Sequence, residues 1–235
     1  MRVAIIPARG GSKRIHRKNI KEFCGKPMIA WAIQLADTSE LFDKVVVSTD
    51  DDEIAEVARF YGALVPFTRP AALSDDHATT LPVVAHAIRC LNTAEPLVAE
   101  ACCIYPCSPL TSASDLREGL KLLRSSGAQF SFPVVEYPHP VGRAMVRHDG
   151  GALEFLHPNN EVVRTQDLPK YYHDAGQFYW GASASWLNEI SMHSQGAGLV
   201  VPAWRAVDID EIEDWERAEL LFESIRRMGG IDEKN

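Results

Sequence analysis

The sequence predicts an α/β fold, a mostly parallel sheet with helices on both faces plus a small hairpin arm. Three observations carry that prediction. Short apolar runs of strand length alternate with segments whose apolar residues recur at helical spacing, the pattern of a parallel sheet with crossover helices. The first run, Val3-Ala4-Ile5-Ile6-Pro7, opens into a basic turn with two adjacent glycines, Arg9-Gly10-Gly11-Ser12-Lys13-Arg14. The rhythm then breaks near Glu136. From there to about Tyr172 come four prolines and a Gly150-Gly151 turn between two short extended runs, which reads as a hairpin and not as another strand–helix unit.

Taken in order, Val3–Pro7 is a first buried strand. Pro27 to Ala36 is a helix with proline near its first turn. Lys44–Asp50 is a second strand that ends in polar residues. Ile54, Val57, Ala58 and Tyr61 follow at i, i+3, i+4 and i+7, an amphipathic helix closed by Gly62. A short strand is expected over Ala63–Phe67, then a polar loop from Arg69 to Thr80 and a helix to about Leu91. Ala101–Tyr105 is a fourth strand, cut off by Pro106 and Pro109. Ser112-x-x-Asp115 has the form of a capping box and opens a helix with Leu116, Leu120 and Leu123 on one face. Gln129–Val135 is a fifth strand. Beyond the arm, regular structure returns at Gly176–Trp180 and Gly198–Val201. An extended Val207–Asp210 precedes a last helix with Trp215, Ala218, Phe222 and Ile225 on its inner face. In such folds ligands lie beyond the carboxyl ends of the strands, so the loops after Pro7, Thr49, Phe67 and Tyr105 should meet at one crevice.

A chain of 235 residues with 46% apolar content suffices for a single domain, 1–235, with residues 137–172 as an inserted arm. The arm is either a plain surface excursion or a dimerisation and substrate-covering element. Net charge is −8, yet seven Lys/Arg and no acid fall between residues 1 and 21. An acidic protein with its basic residues gathered at one turn suits a small anion and not the broad face of a nucleic acid. The five cysteines are odd in number and form no C-x-x-C pair, which fits a reducing cytoplasm. No leader segment and no apolar run of membrane-spanning length is visible, so no membrane association is expected.

The basic glycine turn is neither a Walker A loop nor a G-x-G-x-x-G fingerprint. Its glycines let backbone come close to a ligand, and its cations suit a polyphosphate; a solvated basic loop is the alternative. Asp208 and Asp210, two apart in an extended segment, share one side with Ile209 turned inward. They suit Mg²⁺ on nucleotide phosphates, or else Asp210-x-x-Glu213 caps the last helix. Arg69 is held extended by Pro70, and its guanidinium, with Thr79 and Thr80, could meet a pyrimidine edge; a surface arginine is the alternative. No nucleophile elbow or histidine ligand spacing is present.

Together these motifs resemble a known family. Ile6–Arg14, Lys18-Asn19, Val47-Ser48-Thr49-Asp50, Arg69-Pro70, Ser108-Pro109-Leu110 and Asp208-Ile209-Asp210 are similar, in order and over nearly the whole chain, to the cytidylyltransferases that activate acidic sugars. Arg164–Pro169 and Tyr172–Trp180 look most like the branch that takes pseudaminic acid. The resemblance implies a Rossmann-like nucleotidyltransferase fold, CTP and a nine-carbon acidic sugar as substrates, Mg²⁺ as cofactor and a homodimer. It implies that Ala8, Arg9, Gly10, Gly11, Ser12, Lys18, Asn19, Arg69 and Thr80 hold the nucleotide. Tyr105, Arg164, Gln177 and Tyr179 would contact the sugar, and Asp208 and Asp210 the metal. Arg9, Lys18, Asp208 and Asp210 would carry catalysis. Ala175 stands where the sialic acid enzymes have an Asn; with Phe178, Tyr179 and Trp180 supplying apolar surface, a deoxy sugar ending in a methyl group is expected. The same reaction on N-acetylneuraminic or legionaminic acid, or a non-catalytic nucleotide-binding module, are the alternatives.

Overall fold

The computed structural model describes residues 1–228. In chain order, β1 (Arg2–Pro7) leads through a tiny hairpin, β2 (Glu22–Phe23) and β3 (Lys26–Pro27), into α1 (Met28–Thr38). Next come β4 (Lys44–Ser48), α2 (Asp52–Phe60), α3 (Thr80–Leu91), β5 (Glu100–Ile104), α4 (Ala113–Ser126) and β6 (Phe130–Glu136). The arm carries β7 (Met145–Arg147) and β8 (Leu153–Phe155). The chain returns with β9 (Tyr172–Asp174), β10 (Phe178–Ala182), α5 (Ser183–Leu187), β11 (Gly196–Val200) and α6 (Ile212–Arg227). The main sheet has seven strands in the order β11-β6-β10-β5-β1-β4, with β9 also paired to β6. β4, β1, β5, β6 and β11 share one direction; β10 runs against β5 and β6, and β9 against β6.

The continuous apolar character of β1 has a simple cause: both of its faces are covered. Val3 and Ile5 pack toward Val84, Ala87 and Ile88 of α3 and Trp186 of α5. Ala4 and Ile6 pack toward α1, α2 and α4, through Ile29, Ile33, Ile54, Ala58, Leu116 and Leu120. Each such aliphatic side chain taken fully from water contributes about 1.5–3 kcal/mol. Helix ends follow local chemistry. Asp51 caps α2 by accepting the Ile54 N–H, and Gly62 past its end takes φ +93°. Both halves of the Ser112/Asp115 capping box are formed on α4.

Three expectations change. Ala63–Phe67 is not a strand but a single parallel bridge, Leu64 to Val46. Pro66 lacks the N–H that a longer ladder would need. The run Gly176–Trp180 becomes β10, an antiparallel strand inserted into the sheet. Its period of two sends Phe178 and Trp180 into the core beside α4, while Tyr179 is buried on the other face. Phe178 and Trp180 therefore form no apolar wall for a ligand, and that argument for a methyl-bearing sugar falls. Third, the last helix is capped by Glu211 and Asp214, one residue on from the expected pair, which leaves the Asp210 carboxylate out of the cap.

α6 builds a third core. Trp215, Ala218 and Phe222 pack with Ile15, Phe23, Met28, Trp31, Leu110 and Ile209. Ile209, 1% exposed, thus pins the segment between the two aspartates beneath the basic turn. No helix among the described residues is long and apolar enough to cross a membrane.

Candidate active site

A cleft of about 410 Å³ opens at the carboxyl ends of β1 and β5. It is lined by Arg9, Ser12, Lys13, Arg14, Lys18 and Asn19 after β1, by Arg69 and Asp76 from the loop before α3 and Thr80 at the start of α3, and by Tyr105 and Cys107 after β5. Asp208 and Asp210 complete it from the far end of the chain. The loop after β4 stands behind this wall: Asp50 Oδ1 accepts the Gly10 N–H at 3.1 Å. A Cβ on Gly10 would lie 2.6 Å from Asp51 Oδ2, so the turn can press against the start of α2 only with glycine there. Gly11 faces open space.

Ion pairs fix the basic turn from several sides. Arg17, in the left-handed region at φ +54°, grips Asp51 with both terminal nitrogens, at 2.7 and 3.1 Å. Arg9 and Lys13 both meet Asp76, at 2.8 and 2.5 Å. Arg14 reaches Asp210 at 2.7 Å, and Lys18 donates to the Ile209 carbonyl at 2.6 Å while lying 3.6 Å from Asp210. Residues nearly two hundred positions apart are therefore held across one cleft. Asn19 is buried and donates to the Arg9 carbonyl at 2.9 Å, so it shapes the turn from behind while lining the cleft.

Arg69 is 5% exposed. Its Nη2 stands 3.5 Å from Asp50 Oδ1, close enough for an ion pair but too long for a good hydrogen bond, and neither Nε nor Nη2 has a hydrogen-bond partner. Burial, only partly offset by Asp50, lowers its pKa. Unsatisfied buried N–H groups cost about 1–3 kcal/mol each, and the residue that carries them also lines the cleft.

The carboxylate pair behaves differently. Asp208 is accessible from the cleft and accepts no hydrogen bond among the described residues. The surrounding protein first, and the Asp210 charge second, push its pKa up. Two acceptor-only oxygen groups with mutual repulsion are the donor set that a hard divalent cation relieves. No cluster of three or more His, Cys, Asp or Glu among the described residues could hold a metal unaided. A cation here would draw its remaining ligands from substrate phosphate and water, which is how Mg²⁺ is usually held. Burial pushes the Cys107 thiol up to about 11, so it stays protonated and is not poised as a nucleophile.

Of the residues expected from sequence, Arg9, Ser12, Lys18, Asn19, Arg69, Thr80, Tyr105, Asp208 and Asp210 come together in the cleft. Ala8 and Gly10 lie just behind it, their N–H groups already committed to Ser48 O and Asp50. Gln177 is 3% exposed and donates to the Arg205 carbonyl at 2.6 Å; Tyr179, 4% exposed, donates to Asp174 at 2.8 Å. Both are beneath the surface, not on it. Arg164 lies on the arm, paired with Asp167 at 3.1 Å, and does not line this chain's cleft. Sequence reasoning missed Asp51 and Asp76, the acids that clamp the basic turn; nothing in their neighbourhood marks them.

A cationic glycine turn facing a carboxylate pair, over the carboxyl edge of a mostly parallel sheet, is a nucleotidyltransferase arrangement. The family model described as Cytidylyltransferase matches residues 3–194, and the chain belongs to that family. It is 41% identical to the pseudaminic acid cytidylyltransferase of Campylobacter jejuni, over 94% of this chain and 95% of that one. It is 32% identical to N-acylneuraminate cytidylyltransferase B of Danio rerio, over 93% of this chain and 50% of that one. Its fold is shared with a CMP:2-keto-3-deoxy-manno-octonic acid synthetase solved with CTP, at a TM-score of 0.68 and 17% identity, covering 95% of this chain and 98% of that one.

Proposed function

We propose that this enzyme transfers the cytidylyl group of CTP to pseudaminic acid, releasing pyrophosphate. The observation that carries the reading is the unsatisfied, buried Arg69 in the same cleft as the basic turn and the carboxylate pair. A ligand that offers acceptors to Arg69 and phosphates to Arg9, Ser12, Lys13 and Lys18 is a nucleotide polyphosphate. The sugar's anomeric hydroxyl attacks the α-phosphorus and gives its proton to water, while the bond from the α-phosphorus to the bridging oxygen breaks and that oxygen leaves with pyrophosphate. Such a transfer depends on alignment and charge stabilisation more than on a covalent partner. Arg9 and Lys18 offset negative charge on the departing pyrophosphate. Asp208 and Asp210 would hold Mg²⁺, which, when bound, supplies positive charge to the phosphoryl oxygens and acidifies a neighbouring hydroxyl.

The arm is read as a dimer element. Met145, Val146, Leu153, Leu156, Val162 and Tyr171 are all exposed on it, and eight of the sixteen exposed large apolar residues among the described ones fall between 137 and 172. Apolar surface so concentrated on a projecting hairpin suits burial against a second copy. Arg164, paired with Asp167 and away from its own subunit's cleft, would then reach toward the sugar in the partner's cleft. Five free cysteines fit a reducing cytoplasm as the site of the reaction.

The test is pyrophosphate release from CTP with a panel of nonulosonic acids. Fastest turnover is expected with pseudaminic acid. No release with any sugar acid would overturn the reaction, and a clear preference for N-acetylneuraminate would overturn the sugar assignment.

A further inference from the structure

The segment that carries Asp208 and Asp210 has little regular structure to hold it. Among the described residues, no backbone-to-backbone hydrogen bond involves Val207, Asp208 or Ile209. Its downstream end is set by Ile209, buried in the α6 core, and by Lys18, which donates to the Ile209 carbonyl at 2.6 Å. Its upstream end is set by Arg205, three residues before Asp208. The Arg205 guanidinium donates to both carboxylate oxygens of Asp115, at 2.6 and 2.9 Å, and the Arg205 carbonyl accepts the Gln177 side-chain amide at 2.6 Å. None of these three residues lines the cleft. We propose that Arg205, Asp115 and Gln177 are positioning residues: they tie the upstream end of the carboxylate segment to the wall of the cleft formed after β5, so that Asp208 and Asp210 stand together at the ligand.

Both links reach the same wall. Asp115 belongs to the capping box of α4, the helix that follows the loop with Tyr105 and Cys107. Its Oδ2 also accepts the Ser112 N–H at 2.9 Å and the Ser112 hydroxyl at 2.6 Å, so the carboxylate is itself held. The pair with Arg205 is two-pronged and mostly buried, its side chains 10% and 19% exposed, which fixes direction as well as distance. Gln177 serves the wall too: its carbonyl accepts the Tyr105 N–H at 2.8 Å while its side chain holds Arg205. Gln177 is buried, so water does not compete for that bond. From Arg205 onward the chain stays in contact. Ala206 packs on the cluster of Val135, Ala175 and Val201, and Val207 packs on the α6 core and lines the cleft. Two like charges so close together repel, so their placement has to come from the backbone that carries them. A binding constellation needs its ligands held to within about 0.5 Å, which a segment tied at one end only would not provide. This inference rests on the Mg²⁺ reading of Asp208 and Asp210 above and extends it to residues outside the cleft.

In the experiment, Mn²⁺ is titrated into the full chain with CTP present and no sugar, and bound metal is read by electron paramagnetic resonance. Asp208→Asn gives the baseline for a broken carboxylate pair. Gln177→Met keeps the volume and removes the donor; Arg205→Lys keeps the charge and loses the two-pronged grip. Each is expected to weaken Mn²⁺ binding about tenfold, the worth of one well-placed hydrogen bond, and to raise by the same factor the Mg²⁺ concentration that gives half-maximal pyrophosphate release. CTP affinity measured in EDTA should stay at the native value, because Arg9, Lys18 and Arg69 are untouched. Asp115→Asn should act as Arg205→Lys does. Gln177→Met decides the matter if the ion-pair variants do not fold. Folded variants that melt earlier yet bind Mn²⁺ as the native chain does overturn the proposal and assign the links to stability alone. Variants that lose Mn²⁺ and metal-free CTP equally overturn it as well, since the whole cleft would then have moved, and so does a Gln177→Met chain that does not fold. A native chain that binds Mn²⁺ no better than Asp208→Asn strikes the metal reading itself, a failure visible before any positioning variant is made.

Discussion

Residues 8–21 and residues 137–171 both have little regular structure, yet they are held in opposite ways. The basic turn is clamped from behind and in front: Asp50 and Asp51 hold its backbone and Arg17, Asp76 meets Arg9 and Lys13, and Asp210 meets Arg14. The arm is tied at its root, where Tyr137 N–H meets the Tyr171 carbonyl, and closed by the short β7–β8 ladder, with its apolar side chains facing out. A segment that satisfies its own charges is pre-organised for a small ligand, since little ordering remains to be done when the ligand arrives. A segment that leaves apolar surface bare is unfinished until a macromolecular surface covers it. The contrast teaches that folding alone completes the cleft and leaves the arm with apolar surface uncovered.

The sharpest way to break the comparison is at the carboxylate pair. Asp210→Ala should lower pyrophosphate release by about a thousandfold, the scale seen when a charge-stabilising group is removed from a transfer site. The melting temperature should hold, because Glu211 and Asp214, not Asp210, cap α6. Loss of the fold in that variant would return Asp210 to a structural role.

Next in size is Arg69→Met. Its kcat/KM for CTP should fall about a hundredfold, because the guanidinium is the buried donor set facing the ligand. Thermal stability should hold or rise, since the native chain keeps a buried cation with two unpartnered nitrogens, an arrangement that costs folding free energy. A drop in melting temperature without a change in KM would show that Arg69 serves the fold through Asp50.

How much of this was legible beforehand follows the same division. Local chemistry was readable: the apolar run stopped by Pro7, the Ser112/Asp115 box, the helix end at Gly62, and the inward Ile209 that leaves Asp208 and Asp210 on one side. Long-range partners were not. An aspartate in a polar loop looks the same whether it faces water or two cations, so Asp76 gave no sign of its contacts. Strand direction was equally hidden. Phe178–Ala182 has the apolar content of any central strand, and only its connection through the arm and β9 turns it antiparallel. Gln177 and Tyr179 were placed in the sugar pocket by resemblance, but the side-chain alternation of a covered strand buries Tyr179, and the Arg205 carbonyl holds Gln177 inside.

The arm side of the comparison is tested by charge. Val162→Asp combined with Leu153→Asp places two carboxylates on side chains 91% and 61% exposed, so neither should disturb the subunit's own core. Sedimentation should show the mass halved, and turnover should fall about tenfold as Arg164 is withdrawn from the neighbouring cleft. A native chain that sediments as a monomer at assay concentration would remove the arm from the site altogether.

The smallest effect belongs to the clamp behind the basic turn. Arg17→Ala removes a half-buried, two-pronged ion pair with Asp51 and should cost about 1 kcal/mol, more than a typical surface pair because the geometry is fixed at both ends. Its signature is in the pH dependence. Burial tends to raise the Asp51 pKa, but the Ile54 N–H and the Arg17 guanidinium outweigh it and the net shift is downward. The folded chain therefore holds the Asp51 proton less tightly than the unfolded chain does. The stability gained this way is complete above the unfolded value of about 4 and is lost as pH falls through the depressed folded value. Without Arg17 the folded value should rise toward the unfolded one. The difference in melting temperature between wild type and Arg17→Ala should then be widest near neutrality and close in acid. A difference that stays constant from pH 7 down to pH 3 would mean that Arg17 supports the turn by packing, with its charge on Asp51 irrelevant.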